Sequence, residues 1–515
     1  TEKVVIFGSD DVDGEIILCN AINVETIPVS LYLSNYGVVF RVYQVGQNIS
    51  DRGGFADVTG RVMKRFSRLF FATAVFCLPF SAKLSAETLT DMLVLAYDSN
   101  PKMLAGRQAL RVVNEQFPQA VANWLPTLST AMSADRSLSA SESTAPSNSR
   151  TDTYKNTLSY AQTVFDGGRN FARLDKAVAS IRSQQETLRL TEQGVLLDVV
   201  KAYMNVIRDR QTFALREANK VLLEQQLAST QVQFNLQQRT IADLSQAQAR
   251  LRAAEATVIG ADNNLKTSEA SYLELTGLAP GELEMPGRPV NLPVDLEETI
   301  ILAETFLPAV EIAQYAIDLA EYDASIENRS RLPTLGLAAS LTHQRSKEAG
   351  AGPATDQRDI SATVTLTVPL YQSGAELSRL RAARILVGQR RTELEDAKRS
   401  ARSAAVTAWR THASAKAQIE SLREAAKAAE TARDGIAREL SVGRRSVIDL
   451  LDAEAELLTA QVNLAAGERD ALVAAFEVLN ATGQLTARDL NLPADIYRPV
   501  DDFERTKWKL YTTSE

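Results

Sequence analysis

Between Ile360 and Val368 every second residue is apolar: Ile360, Ala362, Val364, Leu366 and Val368 alternate with Ser361, Thr363, Thr365 and Thr367. A period of two predicts a β-strand with one apolar face. Leu335, Leu337, Ala339 and Leu341 carry the same period upstream and predict its partner. A second pair is written less cleanly, by Tyr154, Leu158, Tyr160 and Val164 set against Lys155, Thr157, Ser159 and Ala161, with its partner over residues 128–134. Polar stretches at 137–151 and 344–356 predict the connecting loops. The result is two hairpins, at about 127–164 and 334–370. Each has strands long enough to cross a membrane with its apolar face outward. The alternation alone leaves a soluble hairpin packed on a core equally open.

After each hairpin a glycine-bearing turn, Gly167-Gly168 or Gly374, leads into a helical pattern. Leu196, Val199, Val200, Tyr203 and Ile207 form an i, i+3, i+4, i+7 stripe, continued by Leu215, Ala218 and Leu222. The first long helix is predicted from about Arg169 to Leu236 without a proline, and the second from about Ala375 to Ser441. Each extends about 100 Å at the rise of an α-helix. Stripes so narrow on helices so long do not form the core of a globule. The helices are expected to lie side by side, as in a coiled coil. Each reverses at a tight turn into a second helix that ends at Thr276-Gly277 or Thr482-Gly483, where glycine caps the C-terminus. Ahead of each hairpin stands an amphipathic segment, at 89–99 or 296–306. Pro101 or Pro308 follows at the start of a helix of about twenty residues that runs to Trp124 or Arg331.

These elements are one plan written twice. Arg239-Thr240-Ile241-Ala242-Asp243-Leu244 matches Arg445-Ser446-Val447-Ile448-Asp449-Leu450 at an offset of 206 residues. The same offset carries Tyr203 to Trp409 and Phe165-Asp166-Gly167-Gly168 to Tyr371-Gln372-Ser373-Gly374. Leu125-Pro126-Thr127-Leu128 falls on Leu332-Pro333-Thr334-Leu335 with one residue more. An offset held across long helices fits packed helices, because one inserted residue rotates every later side chain off its face.

The start of the chain differs in kind. Met63-Lys64-Arg65-Phe66-Ser67-Arg68 is basic, residues 69–80 are apolar, and Ser81-Ala82-Lys83-Leu84-Ser85-Ala86 ends in small residues. That order describes a secretory signal peptide at 63–86, and its apolar run is too short for a permanent span. Met63 is the first methionine. Residues 1–62 are therefore expected to be an upstream mistranslated extension, with the mature N-terminus near Glu87. The divisions of the remaining chain are a first repeat at 87–295, a second at 296–491 and a tail at 492–515. Its segment 497–515 is expected either as a collar against the tube of helices or as disordered chain.

Composition narrows the function classes. The net charge is −8 with no strongly basic segment, which speaks against nucleic acid. The two cysteines, Cys19 and Cys77, both precede Glu87, and a thiol-free mature chain suits an oxidising compartment. His343 and His412 stand far apart, so no zinc-ligand spacing exists. No phosphate-binding glycine loop or nucleophile elbow occurs. No catalytic, cofactor or metal residue is assigned. Tyr203 and Trp409 are read as packing aromatics. Asp243 and Asp449 fall in the first turns of returning helices, where carboxylates favour the positive end of the dipole.

With these elements in order, residues 87–491 resemble the TolC family of outer-membrane efflux ducts. The strongest local match is Val442-Gly443-Arg444-Arg445-Ser446-Val447-Ile448-Asp449-Leu450-Leu451-Asp452-Ala453, close to the family's Val-Gly-x-Arg-Thr-x-x-Asp-Val-Leu-Asp-Ala turn; Phe165-Asp166-Gly167-Gly168 is a typical hairpin exit. The resemblance implies a mainly α fold with a membrane β-barrel contribution. Long α-helical hairpins would form a trimeric α-barrel, and four β-strands per protomer a 12-stranded trimeric barrel. It implies a homotrimer in outer-membrane lipid that passively conducts substrates for tripartite efflux or type I secretion. A periplasmic adaptor protein and an inner-membrane pump, proton-driven or ABC type, would be its partners. Carried over by position, Asp449 and Asp452 would form acidic rings at a periplasmic constriction, and Arg445 and Asp243 would belong to the closing network. Gly443, Thr240 and Ser446 would shape the helix-tip turns. Two departures matter: a family tyrosine falls on Leu440, and Leu236-Gln237 replaces the usual Val-Gly, which leaves the shape of the first turn open. Ordinary helix capping is the other reading of these charges. The other reading of the whole chain is a periplasmic coiled-coil adaptor without a pore.

Overall fold

The computed structural model describes residues 29–34, 37–42, 87–141, 147–289, 291–350 and 352–509. Val29–Ser34 (β1) and Gly37–Val42 (β2) pair antiparallel in a separate unit. The rest of the proposed extension, and all of the proposed signal peptide at 63–86, lie outside the described residues.

The second unit follows the duplicated plan. Leu89–Ser99 (α1), Pro101–Asn114 (α2) and Gln116–Ala122 (α3) precede strands Thr127–Ser141 (β3) and Ser147–Phe165 (β4). Helices Arg169–Asn235 (α4) and Ile241–Thr276 (α5) complete the first copy. Leu296–Phe306 (α6), Pro308–Arg329 (α7), Thr334–Glu348 (β5), Thr355–Thr367 (β6), Ala375–Ser441 (α8) and Val447–Ala481 (α9) form the second, followed by Pro499–Thr506 (α10). Both long helices have 67 residues. The copies differ where one helix was expected after Pro101. Pro118 has no N–H and its ring crowds the carbonyl four residues back, so the helix breaks at Glu115. The second copy, without that proline, runs unbroken from Pro308 to Arg329.

The main core surrounds the upper part of α4. Leu196, Val199, Val200 and Tyr203 are almost fully buried against Leu93 and Tyr97 of α1 and Phe476 and Leu479 of α9. Tyr203 is a packing residue, and its hydroxyl donates to the carbonyls of Glu87 and Glu284. The stripe is not buried along its whole length. Leu222 and Val232, nearer the tip, are exposed in a single chain, because there the helix has only its hairpin partner and α9 beside it. The tail docks on α2 and α3: Arg111 of α2 pairs with Asp502 at 3.2 Å, and Phe503 and Trp508 stack edge-on against Phe117 of α3. Tyr497, Asp502, Phe503 and Trp508 of this segment are thus seated on the helices of the first copy.

Strands β3, β4, β5 and β6 form one antiparallel sheet in that order. The register puts Leu128, Met132, Leu158, Leu337, Leu341, Ile360, Val364 and Leu366 on one face. The other face carries Ser129, Thr157, Ser159, Ser340, Thr342, Ser361 and Thr363. Hydroxyls join across it, Thr157 to Thr342 at 3.3 Å and Ser340 to Ser361 at 2.9 Å. The strands run further than their apolar alternation. Within the loop expected at 137–151 the ladder continues from Ser137↔Thr151 to Ser141↔Ser147, just beyond the ion pair of Arg136 with Asp152 at 2.6 Å. A bilayer needs apolar side chains for only about ten residues of a strand; beyond it the backbone ladder persists without the pattern.

Candidate functional site

The far ends of the two long hairpins turn in the same way. At the second, Gly443 is left-handed (φ 74°); its N–H donates to the Leu440 carbonyl and that of Arg444 to the Glu439 carbonyl, both at 2.9 Å. Those bonds close a Schellman turn and satisfy carbonyls left open at the helix end. At the first tip Gln237 takes the glycine's role (φ 60°), with Gln237 N–H donating to Phe234 and Gln238 N–H to Gln233, again at 2.9 Å. Leu236-Gln237 therefore builds the same turn as Val442-Gly443. The difference is energetic, since a left-handed L-residue costs about 1–2 kcal/mol.

Each returning helix then opens with a capping box. Asp243 Oδ2 accepts from the Thr240 N–H at 3.0 Å and hydroxyl at 2.9 Å, while the Asp243 N–H donates back to that hydroxyl. Asp449 and Ser446 repeat the arrangement at 2.8 and 2.8 Å. The backbone N–H bonds, ahead of the hydroxyl bonds, hold both carboxyls below the usual carboxylate range. An arginine ties each turn to its own helix: Arg239 Nε donates to Gln233 Oε1 at 3.1 Å, and Arg445 Nε to Glu439 Oε2 at 2.9 Å. Asp243 also borders a notch with Thr230, Arg239 and Gln246, facing Val447, Ile448 and Leu451 of α9. The two tips thus adjoin.

One contact joins them directly. Arg250 of α5 donates to Asp452 of α9 at 2.7 Å. Asp452 was singled out by resemblance, but Arg250 was not. Its only sequence signal is position, two helical turns beyond Asp243 and so on the same face of α5; the partner helix was not visible. In the single chain each highlighted charge has a local partner: Asp243 with Thr240, Asp449 with Ser446, Arg445 with Glu439, and Asp452 with Arg250. Among the described residues no group of three His, Cys, Asp or Glu side chains has metal-binding geometry.

The sheet decides where the tips are held. Ile360 is 84% exposed and Met132 78% on the apolar face, a surface that water does not tolerate as a continuous patch and lipid does. The sequence model described as "Outer membrane efflux protein" matches residues 92–278 and 305–484. The chain belongs to this outer membrane efflux protein family. It is similar to the outer membrane efflux protein BepC of Brucella suis, with 30% identity over 83% of this chain and 92% of BepC. It is similar to the outer membrane protein TolC of Vibrio cholerae, with 25% identity over 83% of this chain and 97% of TolC. Its fold matches the Campylobacter jejuni CmeC outer membrane channel with a TM-score of 0.68 at 13% identity, over 82% of this chain and 89% of that one.

As an efflux-family protein the chain is an outer-membrane channel of an efflux or secretion system, extending into the periplasm. The adaptor reading is set aside. The family model and the relatives it matches are those of outer membrane efflux proteins.

Proposed function

We propose that three copies of this chain close a twelve-stranded barrel in the outer membrane, continued by a tube of long helices to a periplasmic constriction. One observation carries this reading: the four-stranded sheet has an apolar face, a hydroxyl-lined face and two unpaired edge strands, β3 and β6. An open edge in lipid leaves backbone groups without partners, each costing several kcal/mol by principle, so closure is required. The hydroxyl face then lines a wet lumen.

The helical tips form the constriction. Threefold symmetry multiplies Asp449 and Asp452 into rings of negative charge, which draw cations into a narrow passage. Arg445 and Asp243 belong to the closing network, on turns shaped by Gly443, Thr240 and Ser446. Substrate flow is passive, and the free energy comes from an inner-membrane pump joined through a periplasmic adaptor. The mature chain begins at Glu87. In support, the Glu87 N–H donates to the Glu282 carbonyl at 2.8 Å, and its carboxylate accepts from the Tyr272 hydroxyl at 3.2 Å and the Gly281 N–H at 3.2 Å. Burial pushes the neighbouring Tyr203 hydroxyl up to about 12, so it stays a donor to Glu87.

Planar-bilayer recordings of the purified trimer test the constriction. Arg445→Ala or Asp449→Ala is expected to change conductance or cation block, and unchanged values in both remove these residues from the mechanism. Mass spectrometry of the exported protein tests the start, which is expected at or near Glu87; retained residues 1–62 exclude it.

A further inference from the structure

The duplication that shapes the chain also fixes how one copy meets the next. This inference rests on barrel closure between copies, and its test separates the two. The hairpins are superimposable in register. Moving β3 by 207 positions and β4 by 206 turns Thr127↔Ala161 into Thr334↔Thr367 and Met132↔Asn156 into Ala339↔Ala362, which are the observed β5–β6 pairs. Two hairpins of identical register are joined by the β4–β5 ladder, the one hairpin-to-hairpin seam within a chain. In a closed barrel the remaining seam joins β6 of one copy to β3 of the next. Strand tilt and stagger are linked in a barrel, so a uniform tilt requires the same stagger at both kinds of seam. The β4–β5 ladder is then the template for the seam between copies.

We infer that β6 and the next copy's β3 pair in the register obtained by carrying the β4–β5 ladder through the repeat, with Val364 opposite Ala134 and Ser361 opposite Ser137. These pairs derive from Leu158↔Leu341 and Lys155↔Gln344. By the same shift Leu366 faces Met132 of the next copy, replacing Tyr160↔Ala339, and Thr363 faces Asp135, replacing Thr157↔Thr342. On the apolar face the register sets Leu366, Val364 and Ile360 against Met132, Ala134 and Leu138, with Ala362 against Arg136 as the one charged exception, whose guanidinium is already paired with Asp152. On the other face Ser361 meets Ser137 and Thr363 meets Asp135, and within the two strands no like charges stand opposite. A slip of one residue mismatches the faces. The competitors are slips of two, which preserve them. The template ladder is interrupted by an irregularity between Thr163 and Phe165. The same shift brings Pro369 and Tyr371 to those positions. Pro369, with no N–H for a ladder, falls on the last regular pair before that irregularity, at the end of the ladder.

Disulfide trapping reads the register, because both cysteines of the chain precede Glu87. Directly opposed strand residues sit close enough for a disulfide, whereas a two-residue slip moves Cα atoms beyond its span. The pair Ser361→Cys with Ser137→Cys is oxidised in isolated outer membranes and run on a non-reducing denaturing gel. The comparison pairs are Ser361→Cys with Asp135→Cys and Ser361→Cys with Ser139→Cys. Val364→Cys with Ala134→Cys tests the opposite face, so both kinds of ladder site are sampled. Covalent dimers and trimers are expected at several-fold higher yield in the 361/137 or 364/134 pair than in either comparison pair. Stronger linkage at 361/135 or 361/139 overturns the register while leaving closure intact. No linkage in any pair, with particles of one copy, overturns closure and the register with it.

Discussion

Replacing Gly443 by alanine isolates one conformational term at the second helical tip. Nothing lies within 4 Å of the site a Cβ would occupy, so no steric clash complicates the change. What remains is the left-handed backbone at φ 74°, which costs an alanine about 1–2 kcal/mol. Part of this is offset, because alanine narrows the opened chain by about 0.4–1 kcal/mol. A net loss of about 1 kcal/mol is expected, or about fivefold in local opening. The sensitive reporters are the N–H groups of residues 443 and 444, which donate to Leu440 and Glu439. Hydrogen exchange read by mass spectrometry on peptides spanning 439–446 should speed about fivefold, while those spanning 233–240 stay unchanged. Gln237→Gly should act in the opposite sense at the first tip, slowing exchange over 233–240, since it relieves an existing left-handed glutamine. Unchanged exchange at both tips, or equal changes at both in either variant, refutes the assignment of strain to these turns.

Further outcomes follow from the other contacts. Asp243 and Asp449 are held below the usual carboxylate value by N-cap bonds, so their contribution is complete above that value and lost as pH falls through the depressed one. Tip exchange should therefore show no cap-dependent change from neutral pH down to the ordinary carboxylate range; a cap-dependent rise that begins near neutrality contradicts this. Val364→Arg on the apolar face should cost about 2–4 kcal/mol in lipid and deplete heat-modifiable trimers from outer-membrane fractions, while Thr363→Arg on the hydroxyl face leaves them in place. Equal depletion by both reverses the facing of the sheet. Arg250→Ala and Asp452→Ala should each raise bilayer conductance modestly, since an exposed pair contributes about 0–1 kcal/mol. The charge swap Arg250→Asp with Asp452→Arg should recover much of the change; identical effects in single and swapped variants dismiss this ion pair as a tie between the tips.

Much of this architecture is legible in the sequence because long elements repeat their signals many times. The bounds of α8, 375 to 441, agree with the helical pattern, and the period-two run at 360–368 marks β6. Local signals were legible too: Thr240 with Asp243 and Ser446 with Asp449 are capping boxes in sequence and in space. What escaped depends on partners distant in the chain or on the backbone alone. The polar ends of β3 and β4 have no alternation because neither lipid nor core selects it there. Gln237 adopts a glycine's conformation because bonds to Gln233 and Phe234 hold it, which composition does not announce. Arg250 and Asp452 are 202 residues apart, and Arg111 and Asp502 are 391 apart. No local period links such pairs. The lower stripe of α4 is apolar in sequence but exposed in the chain, at Leu222 and Val232.

Cryo-electron microscopy of the protein extracted from outer membranes into lipid nanodiscs tests the central claim most directly. Three copies should appear around one axis, with twelve strands ringed by the lipid disc and a continuous lumen leading down to the paired helical tips. A particle of one copy, or one whose four-stranded sheet lies outside the disc against protein, contradicts the account.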